Sequence, residues 1–268
     1  MRVIIHENYT DASAWTARHI ARRINTFNPS AERPFVLGLP TGSSPVAVYR
    51  ELVQLFNEKK VSFRHVVTFN MDEYAGLPAD HPQSYHFFMQ QHLFRHVDIS
   101  PGHINIPDGT ADNLDEECRR YEEKIHAAGG IHLFLGGMGS DGHIAFNEPG
   151  SSLSSRTRVK TLCEETRIAN ARFFENDPGL VPETALSVGV GTVMDADEVV
   201  LIVTGNTKAQ ALRQCVEGGV SHMCTASMLQ VHKQAVIVCD DAAADKLKVR
   251  TVRYFKDIER EAIAMKEF

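Results

Sequence analysis

The chain has 268 residues, 43% of them hydrophobic and 23% charged, and carries a formal net charge of −6. That is enough apolar material for one sizeable core, while the acidic balance leaves no basic footprint for nucleic acid and no apolar run approaches the ~18 residues of a membrane span. The five cysteines, Cys118, Cys163, Cys215, Cys224 and Cys239, are odd in number, widely spaced and without a Cys-x-x-Cys pair, which suits reduced thiols better than a disulfide framework or a zinc site.

At the start, only Val3 to Ile5 are apolar before polar residues resume, too few for a secretory signal, so a cytoplasmic location is expected. Trp15, Ile20 and Ile24 recur near helical spacing and predict a helix over 12–25. Phe35 to Leu39 reads as a buried strand, and residues 40–45 as a turn. Ser44 suits the N-cap and Pro45 the first position of a following helix, whose apolar face carries Val48, Leu52 and Leu55. A second strand is expected over 65–71, running into Asp72-Glu73-Tyr74. Helices follow over 82–94 and 113–127, then a strand from Ile131 to Leu135 that breaks into glycines. Strands are also expected over 156–162, 185–190, 198–203 and 235–239. A helix over 207–217 and a closing helix over 243–265 with a charged outer face complete the chain.

No repeat, low-complexity segment or linker divides this pattern, so residues 1–268 are expected to form a single α/β catalytic domain. Strands alternating with helices imply an open, mostly parallel, doubly wound (Rossmann-like) sheet with helices on both faces. Such sheets bind ligands beyond the carboxyl ends of their strands. Loops 40–45, 70–74, 136–148 and 204–208 all follow strands and would share that edge.

Each loop carries chemistry. Thr41, Gly42, Ser43 and Ser44 put hydroxyls and free N–H groups at a helix start, which is either an ordinary capped turn or an anion site. Lys208 falls in the first turn of the 207–217 helix, where a cation opposes the dipole; a bound anion would remove that conflict. Asp72 follows an apolar strand and either caps the next turn or serves as a partly desolvated general base with a proton affinity near neutrality. Gly137, Gly139 and Gly142 match the dinucleotide-binding spacing, but Pro149 and Gly150 leave no room for the required helix. Asp141 and Glu148 flank His143, an arrangement that orients an imidazole and favours its charged form for a proton shuttle; a metal site is the competing reading. Arg156, Arg158 and Lys160 alternate along 156–160 and would point to one face if extended, as a solvated edge strand or a second anion site, with no acid to offset them before Glu164.

Three stretches, Leu39-Pro40-Thr41-Gly42-Ser43-Ser44-Pro45, Phe69-Asn70-Met71-Asp72-Glu73-Tyr74 and Gly139-Ser140-Asp141-Gly142-His143-Ile144-Ala145-Phe146-Asn147-Glu148-Pro149, together resemble the glucosamine-6-phosphate deaminases of the bacterial allosteric type, over essentially the whole chain. The resemblance implies conversion of glucosamine 6-phosphate to fructose 6-phosphate and ammonia, with neither metal nor other cofactor. It makes Asp72 the base between C2 and C1, and His143 the group that opens the sugar ring under Asp141 and Glu148. Arg172, Lys208 and residues 41–44 would hold the phosphate. It also implies a homohexamer, with Ser151, Arg158, Lys160, Thr161 and Tyr254 binding the activator N-acetylglucosamine 6-phosphate between subunits. The partners expected are thus small sugar phosphates, with no nucleic acid and no membrane. The Asp-Gly-His loop alone is less specific, because 6-phosphogluconolactonases carry a similar one. A sugar-phosphate lactonase is therefore the near rival, and a non-catalytic sugar-phosphate sensor the rival of another class.

Overall fold

A computed structural model describes residues 1–264; residue 265, the last of the expected closing helix, lies outside the described residues. Seven strands form one sheet, in spatial order β1 (Arg2–His6), β10 (Ala235–Asp240), β9 (Val199–Val203), β6 (Leu133–Gly137), β2 (Phe35–Leu39), β3 (Val66–Asn70) and β5 (Ile104–Asn105). Every neighbouring pair in it is parallel. The apolar strand runs are continuous because both faces of the sheet are covered. Alternate side chains serve the two faces: Val36 and Leu201 join one core, whereas Leu37, Val200 and Ile202 join the other.

The first face packs against α4 (Leu114–Ala127), α6 (Val190–Met194) and α7 (Ala209–Glu217). The second packs against α1 (Tyr9–Phe27), α2 (Val46–Asn57) and α3 (Tyr85–His92). The helix ends follow local chemistry. Asn8 caps α1 by accepting from the Asp11 N–H, and Asn28 ends it in the left-handed region at φ 53°. Among the described residues no helix is long and apolar enough to cross a membrane.

Several expectations need correction. The sequence pattern predicts no strand at the start, yet β1 forms the sheet edge beside β10; its apolar run is short because one neighbour suffices. The expected strand at 131–135 lies two residues later. His132 puts its Nδ1 in place of a backbone acceptor for the Val36 N–H, so the regular ladder begins only at Leu133. It runs on through Gly136 and Gly137, paired with Leu201 and Ile202. A Cβ at Gly136 would stand 2.7 Å from the Leu201 side chain, so the glycine serves strand packing there rather than a turn. Ser44 does not cap α2. Pro45 stands at the cap with no side-chain bond, its carbonyl accepting from the Tyr49 N–H.

The closing helix breaks into α8 (Asp241–Ala244), α9 (Val249–Ile258) and α10 (Arg260–Ala264). The first break buries Leu247, and Glu217 of α7 seals it by accepting from the Lys248 N–H at 2.8 Å and the Thr251 hydroxyl at 2.6 Å.

A second sheet was not foreseen. β4 (Asp72–Tyr74), β8 (Thr184–Ser187) and β7 (Arg158–Thr161) form a small antiparallel sheet with β8 in the middle. Only one residue, Met71, separates β3 from β4, so the 65–74 stretch leaves the large sheet and enters the small one. Tyr74, Phe146, Leu162, Phe174 and Ala185 fill a third core there.

Candidate active site

The strand order reverses between β2 and β6. From β2 the chain builds outward through β3 to β5, then returns to place β6 on the other side of β2 and continues through β9 and β10. Ligands bind at such a reversal, beyond the carboxyl ends of the two strands. A cavity of about 420 Å³ lies there, lined by residues 40–44, Met71, Asp72, loop 137–146 and Lys208, within the size range of small-molecule sites. The loops expected to share an edge do converge.

Asp72 opens β4, where it pairs with Ser187, and it is 7% exposed. Burial, with the Glu73 carboxylate next to it, pushes its carboxyl up to about 8. Ionised carboxylates lose their hydration in such a site, which raises the affinity for a proton. At neutral pH this group can therefore both take and return one.

The 137–148 loop turns tightly without a helix. Gly139 donates its N–H to the His143 carbonyl at 2.8 Å, and the Gly142 N–H donates to the Gly139 carbonyl at 3.1 Å. Asp141 Oδ1 accepts from the His143 N–H at 3.1 Å and stands 2.8 Å from His143 Nδ1. This side-chain contact is close but bent, since Nδ1 makes no well-aligned hydrogen bond. Burial alone would push the Asp141 carboxyl up, yet the hydrogen bonds and charge of His143 hold it below its ordinary value. Gly139 makes the pair possible, because a Cβ there would meet the imidazole at 2.5 Å and Asp141 Oδ1 at 2.6 Å.

Glu148 departs from expectation. Its Oε1 accepts from the Thr166 hydroxyl at 2.6 Å and the Cys163 N–H at 3.0 Å, which ties it to the start of α5 (Glu164–Asn170). Among the described residues it makes no hydrogen bond or ion pair with His143, and the carboxylate on the imidazole is Asp141 alone. No cluster of three or more metal-ligating side chains forms among the described residues.

Gly142 makes the sharpest demand on the loop. Its φ is +91°, and a Cβ would lie 2.4 Å from Cys224 Sγ. The left-handed backbone alone costs an alanine about 1–2 kcal/mol, and the sulfur contact adds to that. Steady-state kinetics of Gly142→Ala should show kcat reduced at least ~10-fold, because displacement of the loop misplaces His143. Adding Cys224→Ala should recover only part of the loss; full recovery would show that backbone strain plays no role.

Part of the cavity wall is cationic. None of the N–H groups of Gly42, Ser43 and Ser44 donates to another described residue, and Gly42 is at φ +89°. Tyr9 rivets this loop, donating its hydroxyl to the Ser44 carbonyl at 3.1 Å and accepting from the Ala47 N–H at 3.1 Å. Arg172 reaches in from the 3₁₀ turn after α5 and donates to Ser43 Oγ at 3.2 Å. Lys208 sits in the 3₁₀ turn 206–208, just ahead of α7 rather than within its first turn. Burial lowers its ammonium pKa, the Asp141 charge raises it and Arg172 lowers it further. Two cations, free N–H groups and the hydroxyls of Thr41, Ser43 and Ser44 thus line one cavity, an arrangement complementary to an anion.

The remaining expected site residues do not gather within one chain. Arg158, Lys160 and Thr161 lie on edge strand β7, and Ser151 is buried with a hydroxyl that finds no partner among the described residues. Tyr254 is 58% exposed on α9 and shares no cavity or hydrogen bond with them among the described residues. Arg156 lies outside β7 and pairs with Asp195, so the three cations are not an unopposed row.

Sequence reasoning missed several wall residues. Tyr85, at the start of α3, stands beside Thr41 and Asp72, and burial holds its phenol well above its ordinary value. Glu165, Thr166 and Asn170 of α5 also line the cavity. The only local signal was Ser84, which caps α3 by accepting from the Phe87 N–H and so fixes where Tyr85 begins the helix.

A family profile described as "Glucosamine-6-phosphate isomerases/6-phosphogluconolactonase" matches residues 7–238. A protein of Actinobacillus pleuropneumoniae serotype 3 (strain JL03) named glucosamine-6-phosphate deaminase is 60% identical over 263 residues, covering 98% of each chain. One of the same name from Treponema denticola is 59% identical over 260 residues, covering 97% of this chain and 96% of its own. Among solved structures, a monomeric glucosamine-6-phosphate deaminase superposes with a TM-score of 0.87 at 41% identity, over 92% of this chain and 100% of that one. A 6-phosphogluconolactonase from Trypanosoma cruzi shares the fold at a TM-score of 0.71 and 22% identity, over 92% and 97%. With the reversal-point cavity and its loops matched along the chain, this protein belongs to the glucosamine-6-phosphate isomerase/6-phosphogluconolactonase family.

Proposed function

We propose that this enzyme converts glucosamine 6-phosphate and water to fructose 6-phosphate and ammonia. The observation that carries the reading is one cavity lined both by a buried, proton-holding Asp72 with a His143–Asp141 pair and by a cationic cradle. Arg172, Lys208 and the 41–44 loop hold the phosphate, a remote handle whose binding energy positions the reacting carbons. His143 moves a proton between the ring oxygen and the C1 hydroxyl, which opens the ring and exposes an aldehyde. Only then is the C2 proton acidic. Asp72 removes it and returns it to C1 while a proton passes from the C2 ammonium to the C1 oxygen, leaving a C1 alcohol and an iminium at C2. Water adds to that carbon and ammonia leaves. Glu148 supports the site indirectly, by holding the start of α5 against the cavity.

A lactonase would have no use for a base of the Asp72 kind, so the buried Asp72 favours the deaminase over that rival. The test is release of ammonia and fructose 6-phosphate from glucosamine 6-phosphate by the purified protein. Equal amounts of both are expected; sugar-phosphate binding without either product would replace the reading with a sensor.

The same reading extends to assembly and regulation. Ser151, Arg158, Lys160 and Thr161 form the activator site for N-acetylglucosamine 6-phosphate with Tyr254 of a neighbouring subunit, in a homohexamer of single catalytic domains spanning residues 1–268. What supports this is the exposure of Tyr254 and the two cations on an open strand edge. Lys160→Glu should abolish activation at low substrate while leaving saturated kcat within about twofold, since a reversed charge repels the phosphate. An unchanged activation curve would remove Lys160 from the site. The five free thiols support a cytoplasmic location.

A further inference from the structure

Successive residues on a strand point to opposite faces, so β4 separates two acids: Asp72 enters the cavity, and Glu73 turns away from it toward α3. Glu73 is 0% exposed. Its Oε1 accepts from the Tyr74 N–H at 2.8 Å and the Tyr85 N–H at 2.9 Å. Its Oε2 accepts from the His86 N–H at 3.0 Å and stands 2.9 Å from His86 Nδ1. Three of these four groups belong to the first turn of α3, where the helix dipole favours a carboxylate. An ordinary cap would be a small side chain next to the helix; Ser84 already fills that role. A carboxylate arriving from another element, fully buried, goes beyond what ending a helix requires.

Resting on the deaminase reading above, we propose that Glu73 is a positioning residue for the proton transfer. It clamps the start of α3, and with it the Tyr85 ring, against the cavity wall, and it lays a negative charge behind Asp72. Four buried phenols also lie within reach of the Asp72 charge: Tyr49 from α2, Tyr74 from its own strand, Tyr85 from α3 and Tyr121 from α4. Burial holds all four above their ordinary values, so they are neutral across the working range. Glu73 is the charged neighbour that acts on Asp72; behind it, His86 pairs with Glu73 and itself faces Asp108.

The test separates this role from mere stability. Asp72 is titrated by carboxyl ¹³C NMR, its signal assigned by its loss in Asp72→Asn. This readout needs no turnover, so it stands whether or not wild-type protein releases ammonia. In Glu73→Gln the Asp72 midpoint should fall by about 1 pH unit, because removal of a like charge favours the ionised form; the acid limb of kcat/KM should move with it. A purely structural role would lower the active fraction and leave the midpoint in place. Glu73→Asp keeps the charge but withdraws it from α3, and should lower kcat at least ~5-fold with KM within about threefold, because the phosphate contacts are untouched. An unmoved Asp72 midpoint in Glu73→Gln overturns the proposal, as does full turnover in Glu73→Asp, and the second variant decides alone if the first does not fold.

Discussion

Asp72→Asn is expected to lower kcat by about 10²–10⁴-fold, the range lost with a positioned general base, and at the same time to stabilise the protein above neutral pH. The amide fills the same space but cannot take the C2 proton. The stability gain follows from linkage. The Asp72 carboxyl sits at about 8 when folded against an ordinary 3.8, so the folded state holds the proton more tightly than the unfolded chain. Its penalty is absent well below about pH 4, grows through the interval, and is complete above about pH 8, with an upper bound of roughly 6 kcal/mol. Thermal unfolding at pH 4 should therefore show wild type and Asp72→Asn close together, and at pH 8.5 should show the variant clearly higher. Turnover within tenfold of wild type would remove Asp72 from the proton transfer. Equal melting at pH 8.5 would mean that the carboxylate is not desolvated as the structure places it. Opposite effects on activity and stability are a mark of a strained functional group.

The second large effect is expected for His143→Gln. Glutamine keeps a hydrogen-bonding side chain beside Asp141 but cannot shuttle a proton between two sugar oxygens. kcat should fall by about 10²–10³-fold. An acyclic amino-polyol 6-phosphate has no ring to open, so its dissociation constant should change by less than about threefold, because the phosphate and hydroxyl contacts persist. Calorimetric binding alongside kinetics tests this. Equal losses in binding and turnover would assign His143 to ligand contact rather than ring opening. Asp141, held close but bent against Nδ1, acts on the ring through its charge, while its bond to the His143 backbone N–H fixes the carboxylate in place.

Glu148 and Tyr85 show where sequence reading stops. Glu148 lies five residues after His143, close enough along the chain to suggest contact, yet its partners are Thr166 and Cys163, because the loop turns over between them and α5 packs on top. Tyr85 carries no local mark of function; it reaches the cavity because Glu73, twelve residues earlier, captures the start of its helix. Asp72 was visible as a candidate, but its environment was not: the small sheet that buries it needs β7 and β8, more than eighty residues away.

Local periodicity by itself determined the alternating strands and helices, the parallel α/β class and the placing of the Thr41, Asp72, Asp141 and Lys208 loops at strand ends, since each depends on residues a few positions apart. The tertiary structure decided which strands became neighbours, that the order reverses between β2 and β6, and that Asp72 enters a second sheet while Glu148 turns away. It also brought Arg172 to Ser43 across 129 positions of the chain. Those outcomes follow from burying both faces of one sheet together, a condition on the whole chain that no short window of residues contains.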